Sequence, residues 1–228
     1  IPGGPPAKRT IDQKLKEICW QKFKSNNVKV NLNNKASEQI FENYDQVIVC
    51  TYADTNELLS KFPKTQLKAQ FEICEKIFVK LPKSFHKKSI VIMDGPFMSI
   101  DPVGKTDLFV IGDVVNTVLY SNIGTKPKLE KKFLGVLNKG IISNPPFTNF
   151  ESFIDSATKF MPEASKAKHV GSSFCIKTVL SNMEETDERP TLVRKINDKI
   201  ISVFSGKIPT CVNAAKKVEE MISLSHQD

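Results

Sequence analysis

The chain has 228 residues, of which 40% are hydrophobic and 25% are charged. This composition is ordinary for a globular protein and excludes an intrinsically disordered chain. The length fits one large domain or two joined lobes. Apolar runs reach only the length of a strand, so we expect neither a transmembrane helix nor a membrane partner.

A net charge of +8 is compatible with nucleic-acid binding, because clustered basic side chains neutralise phosphates. The lysines are instead spread over separate helical segments, as on solvated helix faces: Lys14, Lys16, Lys22 and Lys24, then Lys131 and Lys132, then Lys216 and Lys217. We therefore expect no nucleic-acid partner. The alternative predicts a continuous lysine-lined face and affinity that falls steeply with salt.

The cysteines and histidines show no metal-ligand spacing. The cysteines are odd in number, scattered and without a C-x-x-C pair: Cys19, Cys50, Cys74, Cys175 and Cys211. We interpret them as reduced core residues of a cytoplasmic protein. The three histidines, His86, His169 and His226, also lack suitable neighbours, so no metal is predicted.

The first elements begin after a lead rich in Pro and Gly. Residues 1–9 are expected to be a loop or disordered, and their opening without Met favours a fragment of a longer protein. Thr10–Gln13 fits a capping box, which predicts a helix over 11–25. Val28, Val30 and Leu32 alternate as in a half-buried strand, and the apolar run in 45–51 predicts a strand buried on both faces. A short helical stretch is expected near 56–61.

The middle of the chain is rich in strands. Strands are predicted at 71–81, 89–93, 108–112 and 114–120, and helices at 128–138 and 149–160. Asp94-Gly95-Pro96 and Asp101-Pro102 are interpreted as turns. The expected arrangement is a mixed or antiparallel sheet covered by helices.

The final third returns to strands, at 167–180, 190–196 and 199–204, and ends in a helix. Gly206 and Pro209 suit the start of that helix, which carries Val212, Ala215 and Val218. The predicted fold class is α/β, with α+β character in the middle.

Three segments, taken in order, resemble the FAD-dependent oxidoreductases of the D-amino-acid oxidase and glycine oxidase family. The first is Val28-Lys29-Val30 with Asp45–Ala53, similar to strands that return to the FAD domain. The second, Asp187–Thr191 with Asn197–Lys207, is similar to the family's C-terminal hairpin. The third, Ser205–Cys211, opens the last helix as a glycine-containing loop does in the family. The resemblance covers residues 10–224.

The resemblance implies a partial FAD-binding lobe at 10–65 and 166–228 and a substrate-binding lobe at 66–165. FAD contacts are implied for Val30, Thr51, Tyr52, Gly206, Lys207, Ile208, Pro209 and Thr210. Tyr52 departs from the family's glycine, which permits close backbone approach. Lys177 and Arg189 are the candidates for holding a substrate carboxylate. No catalytic residue is assigned, and the oligomeric state is not predicted.

The resemblance further implies oxidation of a C–N or C–O bond of a small amine, amino acid or hydroxy compound by hydride transfer to flavin. The family's G-x-G-x-x-G segment is missing, since Gly3-Gly4 lies among prolines that lack backbone N–H groups. Either the chain is a fragment of a longer flavoprotein, or it is a cofactor-free binding or structural module that retains the fold.

Overall fold

The computed structural model describes residues 11–93, 95, 97–181, 190–205 and 207–224. The predicted lead at 1–9 lies outside this part of the chain. The helices are α1 (Ile11–Ser25), α2 (Thr55–Leu58), α3 (Lys131–Leu134), α4 (Phe150–Phe160) and α5 (Cys211–Leu224). The strands are β1 (Val47–Val49), β2 (Ala69–Lys80), β3 (Ile90–Ile92), β4 (Met98–Pro102), β5 (Phe109–Asp113), β6 (Val118–Gly124), β7 (Lys168–Leu180), β8 (Leu192–Lys195) and β9 (Ile200–Phe204). No helix among the described residues is long and apolar enough to cross a membrane.

The chain divides into two compact units. The first comprises the described parts of Ile1–Asn33, Cys74–Leu119 and Lys131–Cys175. The second comprises the described parts of Asn34–Ile73, Tyr120–Glu130 and Ile176–Asp228. The assignment of an FAD lobe and a substrate lobe to parts of the chain stays a prediction.

The larger sheet has the strand order β3-β4-β5-β2-β6, and β7 pairs with β2. Its β3–β4, β4–β5 and β5–β2 pairs are antiparallel. In the first unit, Ile77, Ile100 and Ile111 are fully buried together with Phe153 and Ala157 of α4. Helix α4 thus covers this sheet with the apolar face that its 3.6-residue periodicity predicts.

The smaller sheet belongs to the second unit and has the order β1-β9-β8. Strand β1 is parallel to β9, with Val47 opposite Ile200, and β8 is antiparallel to β9. One face packs in a core that includes Val49, Leu58 and Ile200. The fold therefore combines helices with parallel and antiparallel strand pairs, which confirms the predicted α/β class with α+β character.

The helix predicted over 11–25 is confirmed, but the strand expected after it is wrong. Val28, Val30 and Leu32 alternate as a strand would, yet all three are exposed and pair with no described strand. A strand requires a neighbour for its backbone N–H and C=O groups, and the alternation alone supplies none.

Three other sequence-based expectations also need correction. Asp101 and Pro102 lie in β4 rather than in a turn, with Pro102 opposite Phe109 at the end of the strand, where proline is tolerated more easily. The run at 45–51, expected to be a strand buried on both faces, forms only the short β1. Because Ile48 is 37% exposed, β1 is buried on one face only. The helix expected over 128–138 is the single turn α3.

The cysteines are free, as expected, but most are not core residues. Cys74 is buried and Cys175 is partly buried, whereas Cys19, Cys50 and Cys211 are exposed. The apolar periodicity around these three residues marks faces that the described residues leave open.

Candidate functional site

A cavity of about 660 Å³ lies in the second unit and is lined by residues of β1, β9 and α5. We call it the apolar groove. Its walls include Ile48, Cys50, Val203, Cys211, Ala215 and Val218. This volume is within the range of about 300–1,000 Å³ that is usual for small-molecule sites, and such sites are mostly apolar.

The groove occupies one face of the small sheet because side chains alternate along a strand. Val203 and Ser205 line the groove, whereas Ile200, Ser202 and Phe204 point to the opposite face and are buried. The same alternation places Ile48 of β1 in the groove and Val49 in the core. The alternation along β9 therefore decides which of its side chains face the groove.

Three hydroxyl groups fix the connection from β9 to α5. The Oγ1 atom of Thr191 lies 2.8 Å from Ser205 Oγ and 2.6 Å from Thr210 Oγ1, and the last two are 3.1 Å apart. Thr210 Oγ1 also donates to the backbone carbonyl of Lys207 at 2.8 Å. This cluster holds the turn at Ile208–Thr210, so that Lys207 and Ile208 lie at the groove.

Tyr52 begins the turn that follows β1 and has a left-handed backbone conformation, with φ 53°. Glycine adopts this conformation without steric cost, which gives a physical reason for a glycine at such a position. The Tyr52 hydroxyl accepts a hydrogen bond from the Thr178 backbone N–H at 2.8 Å and donates to the Thr178 carbonyl at 2.9 Å. Its ring stacks on Phe204, with ring centroids 5.8 Å apart. These contacts compensate for the unfavourable backbone.

The groove fits one end of a flavin better than the other. Its apolar walls and the adjacent Lys207 suit an aromatic ring system that gains negative charge on reduction. The pyrophosphate end needs free backbone N–H groups. At this turn the N–H of Lys207 donates to Ser205 Oγ and that of Thr210 donates to the Lys207 carbonyl. The described residues of this turn therefore suit the ring end better than the pyrophosphate.

The predicted cofactor residues are only partly brought together. Tyr52, Lys207 and Ile208 line the groove. Thr51 is instead placed with its hydroxyl 3.4 Å from that of Thr55, and Pro209 and Thr210 form the turn before α5. Val30 lies in the first unit, in the exposed segment after α1. Gly206 lies outside the described residues.

Lys177, a predicted substrate ligand, is ion-paired. Its ammonium lies 2.7 Å from Glu72 Oε2, and the Glu72 side chain is only 9% exposed. Gln70 donates to the other oxygen of Glu72 at 2.8 Å. A substrate carboxylate at Lys177 would thus compete with a well-held protein carboxylate. The second candidate, Arg189, lies outside the described residues.

Several groove residues escaped the sequence analysis. Cys50 and Cys211 were assigned to the core, and Ala214 received no role, yet all three line the groove. Cys50 is accessible from the groove, but desolvation by its walls raises the pKa of the thiol. The available signal was the row of small side chains at Cys211, Ala214 and Ala215 on one face of the last helix.

No family model and no curated protein matches the chain. Among solved structures, it is similar to glycine oxidase from Geobacillus kaustophilus, with 12% sequence identity and a TM-score of 0.50. That match covers 78% of this chain and 41% of glycine oxidase. A match to iminodiacetate oxidase from Chelativorans sp. BNC1 has 10% identity and a TM-score of 0.44, and covers 80% and 41% of the two chains. The chain thus has a fold similar to part of glycine oxidase and spans less than half of that structure.

Proposed function

We propose that the chain is part of an FAD-dependent oxidoreductase that oxidises a C–N or C–O bond of a small amine, amino acid or hydroxy compound. One observation carries this proposal: an apolar groove beside the start of α5, in a fold similar to part of an amino-acid-oxidising flavoprotein. The flavin, when bound, supplies the acceptor for the substrate hydride.

The residues of the groove have separate roles in holding the ring end of the flavin. Ile48, Val203 and Val218 exclude water from its faces. Lys207, together with the N-terminus of the 14-residue α5, provides positive potential for a ring that gains negative charge. Tyr52, fixed by Thr178, closes the β1 end of the groove.

Substrate binding is proposed at Lys177 or Arg189. Lys177 provides a point charge rather than a planar fork, and it is shared with Glu72. Because Lys177 is shared with Glu72, we expect Arg189→Met to raise the KM for a carboxylate substrate more than Lys177→Met does.

The test is the visible absorption spectrum of the protein after it has been mixed with FAD and the unbound FAD has been removed. We expect a weak flavin band with this chain alone and a strong one when the chain is extended upstream along its natural gene to include a dinucleotide-binding unit. Bleaching of that strong band by amino acids, amines or hydroxy acids would then identify the substrate class.

A cofactor-free binding module is the second candidate. It is favoured by the turn before α5, where the N–H groups of Lys207 and Thr210 are already hydrogen-bonded within the chain. Failure of the extended chain to retain flavin would support this module and refute the oxidoreductase.

A further inference from the structure

The larger sheet has a second face, opposite to the one that α4 covers. The covered face carries Ile77, Ile100 and Ile111 in the core of the first unit. Side chains alternate along a strand, so the residues next to these point to the opposite face, which we call the open face. On the open face, Phe78 of β2 lies opposite Val110 of β5, and both are only partly buried. Apolar side chains are therefore partly accessible there.

Three neighbouring strands bring Ser99, Gly112 and Lys76 into one row across the open face. Ser99 lies opposite Gly112 in the register of β4 and β5. Lys76 lies beside Gly112 in the continuation of the β2–β5 register. A Cβ atom on Gly112 would lie 2.9 Å from Ser99 Oγ and 3.8 Å from Lys76 Nζ. The hydroxyl and the ammonium thus flank one point above a residue without a side chain, and a glycine inside a strand can mark a place where a ligand approaches the backbone.

The charge of Lys76 is not compensated. Lys76 and Lys80 are both exposed and lie on the same face of β2. Lys80 is paired with Asp107 at 2.8 Å, whereas the ammonium of Lys76 has no ion pair or hydrogen bond with any residue that the structure describes. Asp101 also belongs to the open face, but its carboxylate accepts a hydrogen bond from Ser89. The Lys76 ammonium is therefore available to an anionic ligand.

The positive charge of Lys76 extends over its surroundings in the sheet. Burial raises the pKa of the Cys175 thiol in β7, and the nearby Lys76 ammonium opposes this increase because it favours the thiolate. The Ser99 hydroxyl, among the residues with described positions, has no hydrogen-bond partner. An anion above Gly112 would thus meet a positive potential and a free hydroxyl donor together.

We propose that this row binds the carboxylate of a small organic acid, whose apolar part packs on Phe78 and Val110. Lys76 donates a charge-assisted hydrogen bond to the carboxylate, and Ser99 provides a second donor. Gly112 leaves the space above the backbone free. Apolar walls with a few converging polar groups are usual for small-molecule sites. All of these residues belong to the first unit, so the inference goes beyond the proposed oxidation and does not depend on flavin binding.

A nuclear magnetic resonance titration of the isotope-labelled chain with phenylacetate tests the site. We expect saturable shifts of the amide signals of Ser99 and Gly112. Phenylacetamide has nearly the same shape but no charge, and it should bind about tenfold more weakly or worse, because hydrogen bonds to charged groups contribute more than neutral ones. Acetate should also bind more weakly than phenylacetate, because it has no ring to bury against the apolar side chains.

Two pairs of variants separate the row from its surroundings. Lys76→Met should weaken phenylacetate binding by about tenfold or more, and Lys76→Arg should retain most of it. Lys80→Met is the matched control, since it removes the same charge from the same face of β2. Gly112→Ala should weaken binding because its methyl group fills the space between the hydroxyl and the ammonium. Gly135→Ala, whose added Cβ meets no atom within 4 Å, should bind as the wild-type chain does.

Three results would overturn the proposal. The first is the absence of saturable shifts at Ser99 and Gly112 with phenylacetate. The second is equal binding of phenylacetamide, which would leave no role for the charge. The third is equal binding by Lys76→Met and Lys80→Met, which would indicate a general attraction of acids to a basic chain. The titrations contain no flavin, so any of these results leaves the proposed oxidoreductase function untouched.

Discussion

The hydroxyl of Tyr52 bridges both backbone groups of Thr178, accepting from its N–H at 2.8 Å and donating to its carbonyl at 2.9 Å. One side chain in the turn after β1 thereby satisfies two polar groups of a residue that is 2% exposed. A buried backbone group left without a partner costs free energy. The bridge therefore ties the segment after β1 to Thr178 of β7.

Removing this hydroxyl should destabilise the protein. We expect Tyr52→Phe to lower the free energy of unfolding by about 1–3 kcal/mol, because both Thr178 groups lose their partner while the ring stacking on Phe204 remains. Urea unfolding followed by circular dichroism measures the change. Tyr44→Phe, at an exposed tyrosine, is the control and should have little effect. Equal stability of the two variants would refute the role of the bridge.

Gly171 in β7 admits no side chain. A Cβ atom there would collide with the backbone carbonyl oxygen of Ile142 and would lie 2.9 Å from Cγ2 of Ile141. Since backbone cannot move aside cheaply, we expect Gly171→Ala to cost about 1–3 kcal/mol of stability. Gly135→Ala is the matched control, because no atom lies within 4 Å of its added Cβ. Thermal unfolding should separate the two variants, and indistinguishable melting temperatures would contradict the prediction.

Removing one partner of the Lys177–Glu72 ion pair should destabilise the protein more than removing both. Lys177→Met leaves a nearly buried carboxylate whose remaining hydrogen-bond partner among the described residues is Gln70, at an expected cost of about 1–3 kcal/mol. Adding Glu72→Leu should restore most of that stability, since a paired apolar replacement removes the stranded charge. A double-mutant cycle measures the coupling. Strictly additive losses would show that the pair does not act as a unit.

Much of the secondary structure follows from the sequence. The helices at 11–25 and 150–160 and the long strand β7 carry strong local periodicity, and each lies within a residue or two of its predicted position. Local pattern could not decide Val28–Leu32, because its alternation fits a strand only if a partner strand is present. Pro102 was misassigned because a strand end can tolerate proline.

The candidate site could be predicted only in part. Lys207 and Ile208 were named because Ser205–Cys211 resembles a loop that opens the last helix in a known family, and both residues line the groove. Local sequence pattern could not identify Cys50 and Ala215 as groove residues. Whether the face of a strand or helix stays open depends on which other element packs against it. Lys177 was chosen for its charge, but its partner Glu72 is 105 residues away in sequence.

The raised pKa of Cys50 predicts slow alkylation. Burial against the groove walls disfavours the thiolate, so a smaller fraction is reactive at about pH 8 than for an ordinary thiol. Iodoacetamide should label Cys50 more slowly in the folded chain than in the urea-unfolded chain, and the difference should shrink as pH rises through the folded-state pKa. Mass spectrometry of the Cys50 peptide gives both rates. Labelling that is equal or faster in the folded state would contradict this account.

The most direct test of the account is a fluorescence titration of riboflavin and of FAD with this chain. Because the apolar groove is proposed to hold only the ring end of the cofactor, we expect saturable quenching with similar affinities for both flavins. It also predicts loss of binding on Ala215→Trp, which fills the groove. Absence of saturable quenching, or binding that survives Ala215→Trp, would contradict the assignment of the apolar groove as a flavin site.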